Sequence, residues 1–194
     1  MYLDVICEWC YLAKHVLDTL QGEYSYEVEY RFMEIHPDIP EDGMPMSRHI
    51  RRPQRFYDDL DKLGNTYGVK FCRDKTFANT YYALVVLQYA NEIGKLSQVL
   101  DPLWDAYMLR GKNISRIAEI VDITDHCGLS RADVTRAFAD PSYSQHLESN
   151  YRLNHVEGGE GKVPFFRVDD KFMMHGAQDK ETWKALFKIL SQQQ

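Results

Sequence analysis

The sequence predicts an α/β chain in which a βαβ unit at the start and a ββα unit at the end enclose a long all-helical stretch. Three observations predict it. Residues 1–32 alternate between strand and helix patterns, residues 53–157 carry helical periodicity throughout, and residues 163–190 read as a hairpin followed by a helix. A Cys-x-x-C pair, Cys7-Glu8-Trp9-Cys10, stands where the first strand passes into the first helix.

Residues 1–6 supply a short first strand, with Tyr2, Leu3, Val5 and Ile6 as strand formers, and residues 2–6 are expected to pair. Behind the cysteines, Ala13, Val16, Leu17 and Leu20 recur at i, i+3, i+4 and i+7, one face of a helix that Gly22 ends. Tyr26, Val28, Tyr30 and Phe32 then alternate with Glu27, Glu29 and Arg31, the period of a strand over 26–32. Pro37, Pro40, Gly43 and Pro45 make residues 36–53 a long connection.

In the middle block, Ala83, Val86, Leu87 and Ala90 form one apolar stripe, and Leu96, Val99, Leu100, Leu103, Trp104 and Tyr107 form another. Ser130 with Asp133 marks a helix start, and a further helix runs from Ser142 towards Val156. No strand is expected here. After Gly158, Gly159 and Gly161, residues 163–168 and 172–174 form two strands joined at Asp169-Asp170. A last helix with Asp179 as N-cap carries Trp183, Leu186, Phe187 and Leu190 on one face. The domain expectation is residues 1–52 with 158–194 as one α/β unit, and 53–157 as a helical subdomain inserted into it.

Composition narrows the functional classes. With 44% hydrophobic and 27% charged residues the chain is globular rather than disordered. A net charge of −6 argues against nucleic-acid binding. No apolar run approaches the ~18 residues of a membrane span. The absence of a basic-then-apolar leader together with Met1 leads to the expectation of a cytoplasmic product.

In such a product a close cysteine pair serves redox chemistry or a metal. A structural zinc needs four ligands, and no second Cys-x-x-C or His pair accompanies Cys7 and Cys10, so no metal is expected. Thiol–disulfide exchange needs a thiolate nucleophile and a second thiol to resolve the mixed disulfide. Cys7 would sit at the helix N-terminus, where unpaired N–H groups and the dipole favour negative charge, and Cys10 lies one turn further in. Cys7 is therefore the expected nucleophile and Cys10 the resolving thiol.

The chain resembles the DsbA-like branch of the thioredoxin fold, and within it the FrnE-like cytoplasmic dithiol oxidoreductases and isomerases. The likeness rests on Asp4-Val5-Ile6-Cys7-Glu8-Trp9-Cys10-Tyr11-Leu12, on Glu34-Ile35-His36-Pro37-Asp38, and on Val163-Pro164-Phe165-Phe166 with His175-Gly176-Ala177-Gln178. It implies a cis bond at Pro164 packed against the dithiol, with Val163 offering its backbone to a bound peptide. It also implies protein or small thiol and disulfide substrates, with glutathione as a redox partner and no other cofactor.

Glu8 departs from the family, which usually has Pro there. A carboxylate beside the nucleophile opposes thiolate formation, so Glu8 is a candidate tuning residue and a milder oxidant is expected. It also suits a first helical turn. Trp9 is a candidate substrate contact, with plain packing as the competing reading. His36 and His175 read as structural, and Cys72 and Cys127 as small buried hydrophobes. Arg48, Arg51, Arg52 and Arg55 form a basic cluster, read as a solvated face or as a patch drawing glutathione or acidic peptide. Two other functions compete with the redox enzyme. One is a glutathione-dependent isomerase of the kappa and hydroxychromene-carboxylate type; the other is a non-catalytic DsbA-like adaptor.

Overall fold

The computed structural model describes residues 1–46 and 52–192. Its main sheet has four strands in the order β2-β1-β5-β6, formed by β1 (Tyr2–Leu3), β2 (Arg31–Phe32), β5 (Phe165–Val168) and β6 (Phe172–His175). β1 pairs parallel with β2 and antiparallel with β5, and β5 pairs antiparallel with β6. Helix α1 (Glu8–Asp18) links β1 to β2, and the last helix, α8 (Lys180–Ser191), follows β6. This is the expected thioredoxin fold with a helical insertion.

The insertion contains α2 (Gln54–Thr66), α3 (Tyr81–Glu92), α4 (Leu96–Met108), α5 (Ile117–His126), α6 (Arg131–Ala139) and α7 (Pro141–Val156). The stripe read from Ala83 to Ala90 is fully buried, and so are Val99, Leu103, Trp104 and Tyr107 of the second stripe. Caps fall where the side chains permit. The Ser130 hydroxyl accepts from Asp133 N–H at 3.4 Å, and Asp179 accepts from Thr182 N–H at 2.8 Å. Asp140 caps α7, with Pro141 in its first turn. The three residues between β5 and β6 turn at Asp169 and Asp170, both left-handed at φ 49° and 54°, and Lys171 N–H donates to Val168 O at 3.0 Å to close the turn.

Three strand expectations are corrected. The alternation over residues 26–32 yields a strand only at Arg31–Phe32, because β1 offers only Tyr2 and Leu3 to pair with it. Tyr24 and Tyr26 pack instead on Phe187 of α8, each with ring centroids 5.0 Å apart. The first strand likewise stops at Leu3, and residues 4–7 turn towards the helix. Conversely, β3 (Met44–Pro45) pairs antiparallel with β4 (Thr76–Phe77), one in the expected connection and one in the block expected to be strandless. Two-residue pairs have no period for a sequence pattern to display.

Three contacts fix the insertion to the start of the chain. The fully buried Trp104 of α4 donates its indole N–H to Val5 O at 2.9 Å. The Tyr11 hydroxyl of α1 donates to Asp105 at 2.6 Å, and Lys14 reaches Asp101 at 2.9 Å. Helix α4 thus braces the turn that carries the cysteines.

Candidate active site

Cys7 is the N-cap of α1, with extended backbone angles (φ −85°, ψ 109°). A helix leaves its first N–H groups without intrahelical partners, and a cap side chain aimed back at them completes one. Here that side chain is the sulfur itself: Cys7 Sγ accepts from Cys10 N–H at 3.3 Å. Its thiol also lies 3.8 Å from Val163 O, to which it donates. The Val163–Pro164 bond is cis. Cys10 is sealed from solvent, whereas Cys7 keeps 9% of its surface. Both cysteines carry free thiols. Burial, then the hydrogen bond with Cys7, pushes the Cys10 thiol well above its ordinary range. One slightly accessible cysteine over a second that is sealed is the arrangement that attack and resolution require.

The glycine-rich approach to Val163 is held by a residue that the sequence did not single out. Asn154, fully buried at the end of α7, accepts from Gly161 N–H at 2.7 Å and donates to Lys162 O at 3.2 Å. Gly159 lies flat against it, so a Cβ there would come within 2.3 Å of the amide. The loop therefore reaches Val163 along one path.

Glu8 does not face the thiol as a bare charge. Its carboxylate is 3% exposed and lies 3.1 Å from the Lys75 ammonium and 2.9 Å from the Arg52 guanidinium. Burial pushes the Glu8 carboxyl up, but Lys75 and Arg52 outweigh it and leave it below the ordinary carboxylate range. Lys75 is boxed further by Cys72 O at 3.3 Å and by the rings of Phe71 and Tyr107. Arg52 stacks on Phe56, 4.2 Å from its centroid, and Phe56 meets Trp9 edge-on at 5.9 Å. Trp9, half-buried, thus forms a wall beside the dithiol together with Phe56.

A second acidic layer lies below. Asp4 is fully buried and accepts from Ile6 N–H at 3.2 Å and from Ile35 N–H at 2.9 Å. Burial outweighs these bonds and pushes its carboxyl up to about 6. Glu34, next to Ile35, is pushed up to about 7 by burial and then by the Asp4 and Asp38 charges, and its Oε1 has no hydrogen-bond partner.

The remaining candidates lie outside this centre. The His36 ring packs tilted against Phe77 and the His175 ring tilted against Phe165. Cys72 packs against Gly111, and Cys127 ends α5 with burial raising its thiol. Of the basic cluster, Arg52 joins the site and Arg55 pairs with Asp59 on the surface, while Arg48 and Arg51 fall outside the described residues. Among the described residues no group of three or more His, Cys, Asp or Glu side chains could hold a metal, and no helix is long and apolar enough to cross a membrane.

Residues 1–188 match the family described as DSBA-like thioredoxin domain. No curated protein sequence matches the chain. Among solved structures, a probable DsbA oxidoreductase from Streptomyces coelicolor superposes with a TM-score of 0.88 at 22% identity, covering 100% of this chain and 89% of its own. A 2-hydroxychromene-2-carboxylate isomerase superposes at 0.79 with 13% identity over 99% and 95% of the two chains. The cytosolic disulfide reductase DsbM from Pseudomonas aeruginosa does so at 0.70 with 16% identity over 100% and 98%, and it has also been solved with glutathione. At these identities the likeness is one of fold.

Proposed function

Because the chain belongs to the DSBA-like thioredoxin domain family, we propose that it is a thiol–disulfide oxidoreductase working through Cys7 and Cys10. The observation that carries this reading is the stacked pair itself. Cys7 Sγ caps α1 within reach of Cys10 N–H and Val163 O, over a Cys10 closed off from solvent.

In the reducing direction, the Cys7 thiolate attacks one sulfur of a substrate disulfide, forming a mixed disulfide and releasing a substrate thiolate. Cys10, deprotonated, then attacks Cys7 Sγ. The Cys7–Cys10 disulfide forms, the second substrate thiolate leaves, and two electrons have passed to substrate. Oxidation of a substrate dithiol runs the same steps backwards. Cys7 in its thiolate form has one N–H···S hydrogen bond, from Cys10 N–H, and the helix dipole behind it, the latter worth about 0.3–1 kcal/mol. Cys10 needs a proton acceptor when it attacks, since burial opposes its ionisation. Asp4, buried in the same layer and with its carboxyl at about 6, is the group we assign to that proton.

Val163, with Pro164 behind it, offers its backbone to a bound peptide, and Trp9 with Phe56 supplies an apolar wall for the substrate's side chains. Glutathione is the proposed small redox partner, and a cytosolic setting is part of the reading. The DsbM structure solved with glutathione supports both, as a protein of like fold. Glu8 acts on Cys7 as one member of a three-charge group rather than alone.

Insulin reduction and the Cys7–Cys10 equilibrium with glutathione, measured in wild type, Cys7→Ser and Cys10→Ser, test the proposal. Both variants lose turnover, and Cys10→Ser accumulates the mixed disulfide. The isomerase-like superposition makes one alternative concrete: glutathione-dependent turnover that survives Cys10→Ser would replace the dithiol mechanism with an isomerase one. Tight capture of a cellular protein by a wild type without turnover would favour an adaptor.

A further inference from the structure

The outer edge of β2 carries a polar cavity separate from the dithiol. In the parallel pair with β1, Arg31 N–H donates to Met1 O at 2.8 Å and Met33 N–H to Leu3 O at 3.0 Å, so the backbone of Phe32 between them turns the other way. Its carbonyl accepts from Asn150 of α7 at 3.0 Å. Beside this contact a cavity of about 300 Å³ opens between residues 29–32, the C-terminal half of α3 and the N-terminal half of α7. None of Cys7, Trp9, Cys10 and Val163 lines it.

Two acceptors from α3 line this cavity. Gln88 and Glu92 are four residues apart and so share one face of the helix. Gln88 is 9% exposed, and its Oε1 has no hydrogen-bond partner among the described residues. A buried acceptor without a donor is destabilising and rare in folded proteins. The terminal amide turns broadly about its last bond, so a donor entering the cavity can draw that oxygen to itself. Glu92 Oε2 accepts from the Tyr143 hydroxyl at 2.8 Å, and its Oε1 accepts from no described residue.

The charges fix the sign of the occupant. Arg31 is answered by Glu29 at 2.9 Å and lies over the Tyr2 ring. Of the acidic and basic side chains that line the cavity, Glu92 is then the carboxylate with no basic partner among the described residues. The one imidazole, His146, stands edge-on to Tyr143 with ring centroids 6.4 Å apart. An anion would meet the Glu92 carboxylate and the Gln88 oxygen together. A metal ion finds too few ligands, since among the described residues no group of three or more His, Cys, Asp or Glu side chains could hold one.

We propose that this cavity binds a small organic cation with N–H donors, an alkylammonium or alkylguanidinium group. One N–H goes to Gln88 Oε1 and another to Glu92 Oε1, so the buried amide gains its donor and the carboxylate its counter-ion at once. The alkyl part lies along the buried Tyr143 ring.

Calorimetric titration with butylamine and butylguanidine tests this, with butyltrimethylammonium, of equal charge and chain but without N–H donors, as the control. At least one of the two donors binds saturably, raises Tm by ~3 °C at about ten times its Kd, and shifts the Gln88 side-chain amide signals. The control does none of these. Gln88→Leu and Glu92→Gln each weaken binding by ~tenfold or more. Gln88→Leu removes an unpaired acceptor and unfolds no earlier than wild type, and Glu92→Gln keeps an oxygen for the Tyr143 hydroxyl, so both losses read binding rather than folding. Failure of both donors to bind saturably overturns the proposal. So does equal binding of the control, or donor binding undiminished in the two variants.

Discussion

The Lys75 ammonium lies 3.1 Å from the Glu8 carboxylate, with both side chains 2–3% exposed, and Arg52 closes on the other carboxylate oxygen at 2.9 Å. A pair so deep exchanges hydration for mutual attraction, and its net contribution is small until one member is removed. Glu8→Ala leaves a buried ammonium without its counter-ion and is expected to destabilise the fold by about 3–5 kcal/mol in urea unfolding. The double variant Glu8→Leu/Lys75→Met, apolar on both sides, is expected to recover most of that loss. Equal losses in the single and double variants would show that the ion pair itself, not the orphaned charge, supplies the stability.

Asp4 gives the fold a pH dependence of definite sign. Its carboxyl is raised from 3.8 to about 6 by burial, so the native state holds the proton more tightly than the unfolded chain does. The associated stability is complete below about 4 and is lost as pH rises through 6. A shift of that size corresponds to ~3 kcal/mol. Glu34, raised from 4.5 to about 7, extends the decline in the same direction. Glu8 acts oppositely, since its lowered carboxyl removes stability only as pH falls into the acid range. Urea midpoints between pH 4 and 7.5 should therefore fall in wild type and flatten in Asp4→Asn over the lower part of that window. A parallel slope in the variant would remove Asp4 as its source.

Asn154 ties the glycine loop to α7, so its loss is expected to act on substrate more than on chemistry. Asn154→Ala removes the partners of Gly161 N–H and Lys162 O. Gly159→Ala drives a Cβ to within 2.3 Å of the same amide. Both variants should raise KM for a peptide disulfide by moving the Val163 backbone, while the Cys7–Cys10 reduction potential changes little. A potential that shifts as much as KM would place the loop's role at the sulfurs instead.

The outer framework was legible because each of its parts leaves a local trace. Ala83 to Ala90 spell a buried face at helical spacing, Asp169-Asp170 between β-branched and aromatic residues spell a tight hairpin, and Cys7 at a strand-to-helix junction spells a capping sulfur. What escaped was set by partners distant in sequence. Residues 26–30 have a strand's pattern and, among the described residues, no strand to pair with. Lys75 is one lysine among many until folding carries it across 67 positions to Glu8. Asn154 sits in a helix of ordinary polarity, and only its burial against Gly159 and Gly161 reveals what it does. Glu8 was legible as a departure from its relatives, but the sign of its surroundings was not, because the two cations that answer it come from beyond the connection and from the insertion.

Those cations make the effect of Glu8 on the nucleophile separable. Beside Cys7 stand one carboxylate and two cations, Lys75 and Arg52, an excess of one positive charge. Glu8→Gln raises that excess to two while keeping the side chain's shape, which favours the thiolate over the thiol. Alkylation of Cys7 by iodoacetamide at neutral pH is expected to speed up by roughly three- to tenfold. Adding Lys75→Met restores an excess of one, so the double variant should return towards the wild-type rate although Glu8 is still missing. If the double variant stays as fast as Glu8→Gln, the carboxylate acts on Cys7 directly and Lys75 is only its structural support. If neither variant alkylates faster, residue 8 tunes nothing and its place is that of a first-turn acid in a buried ion pair.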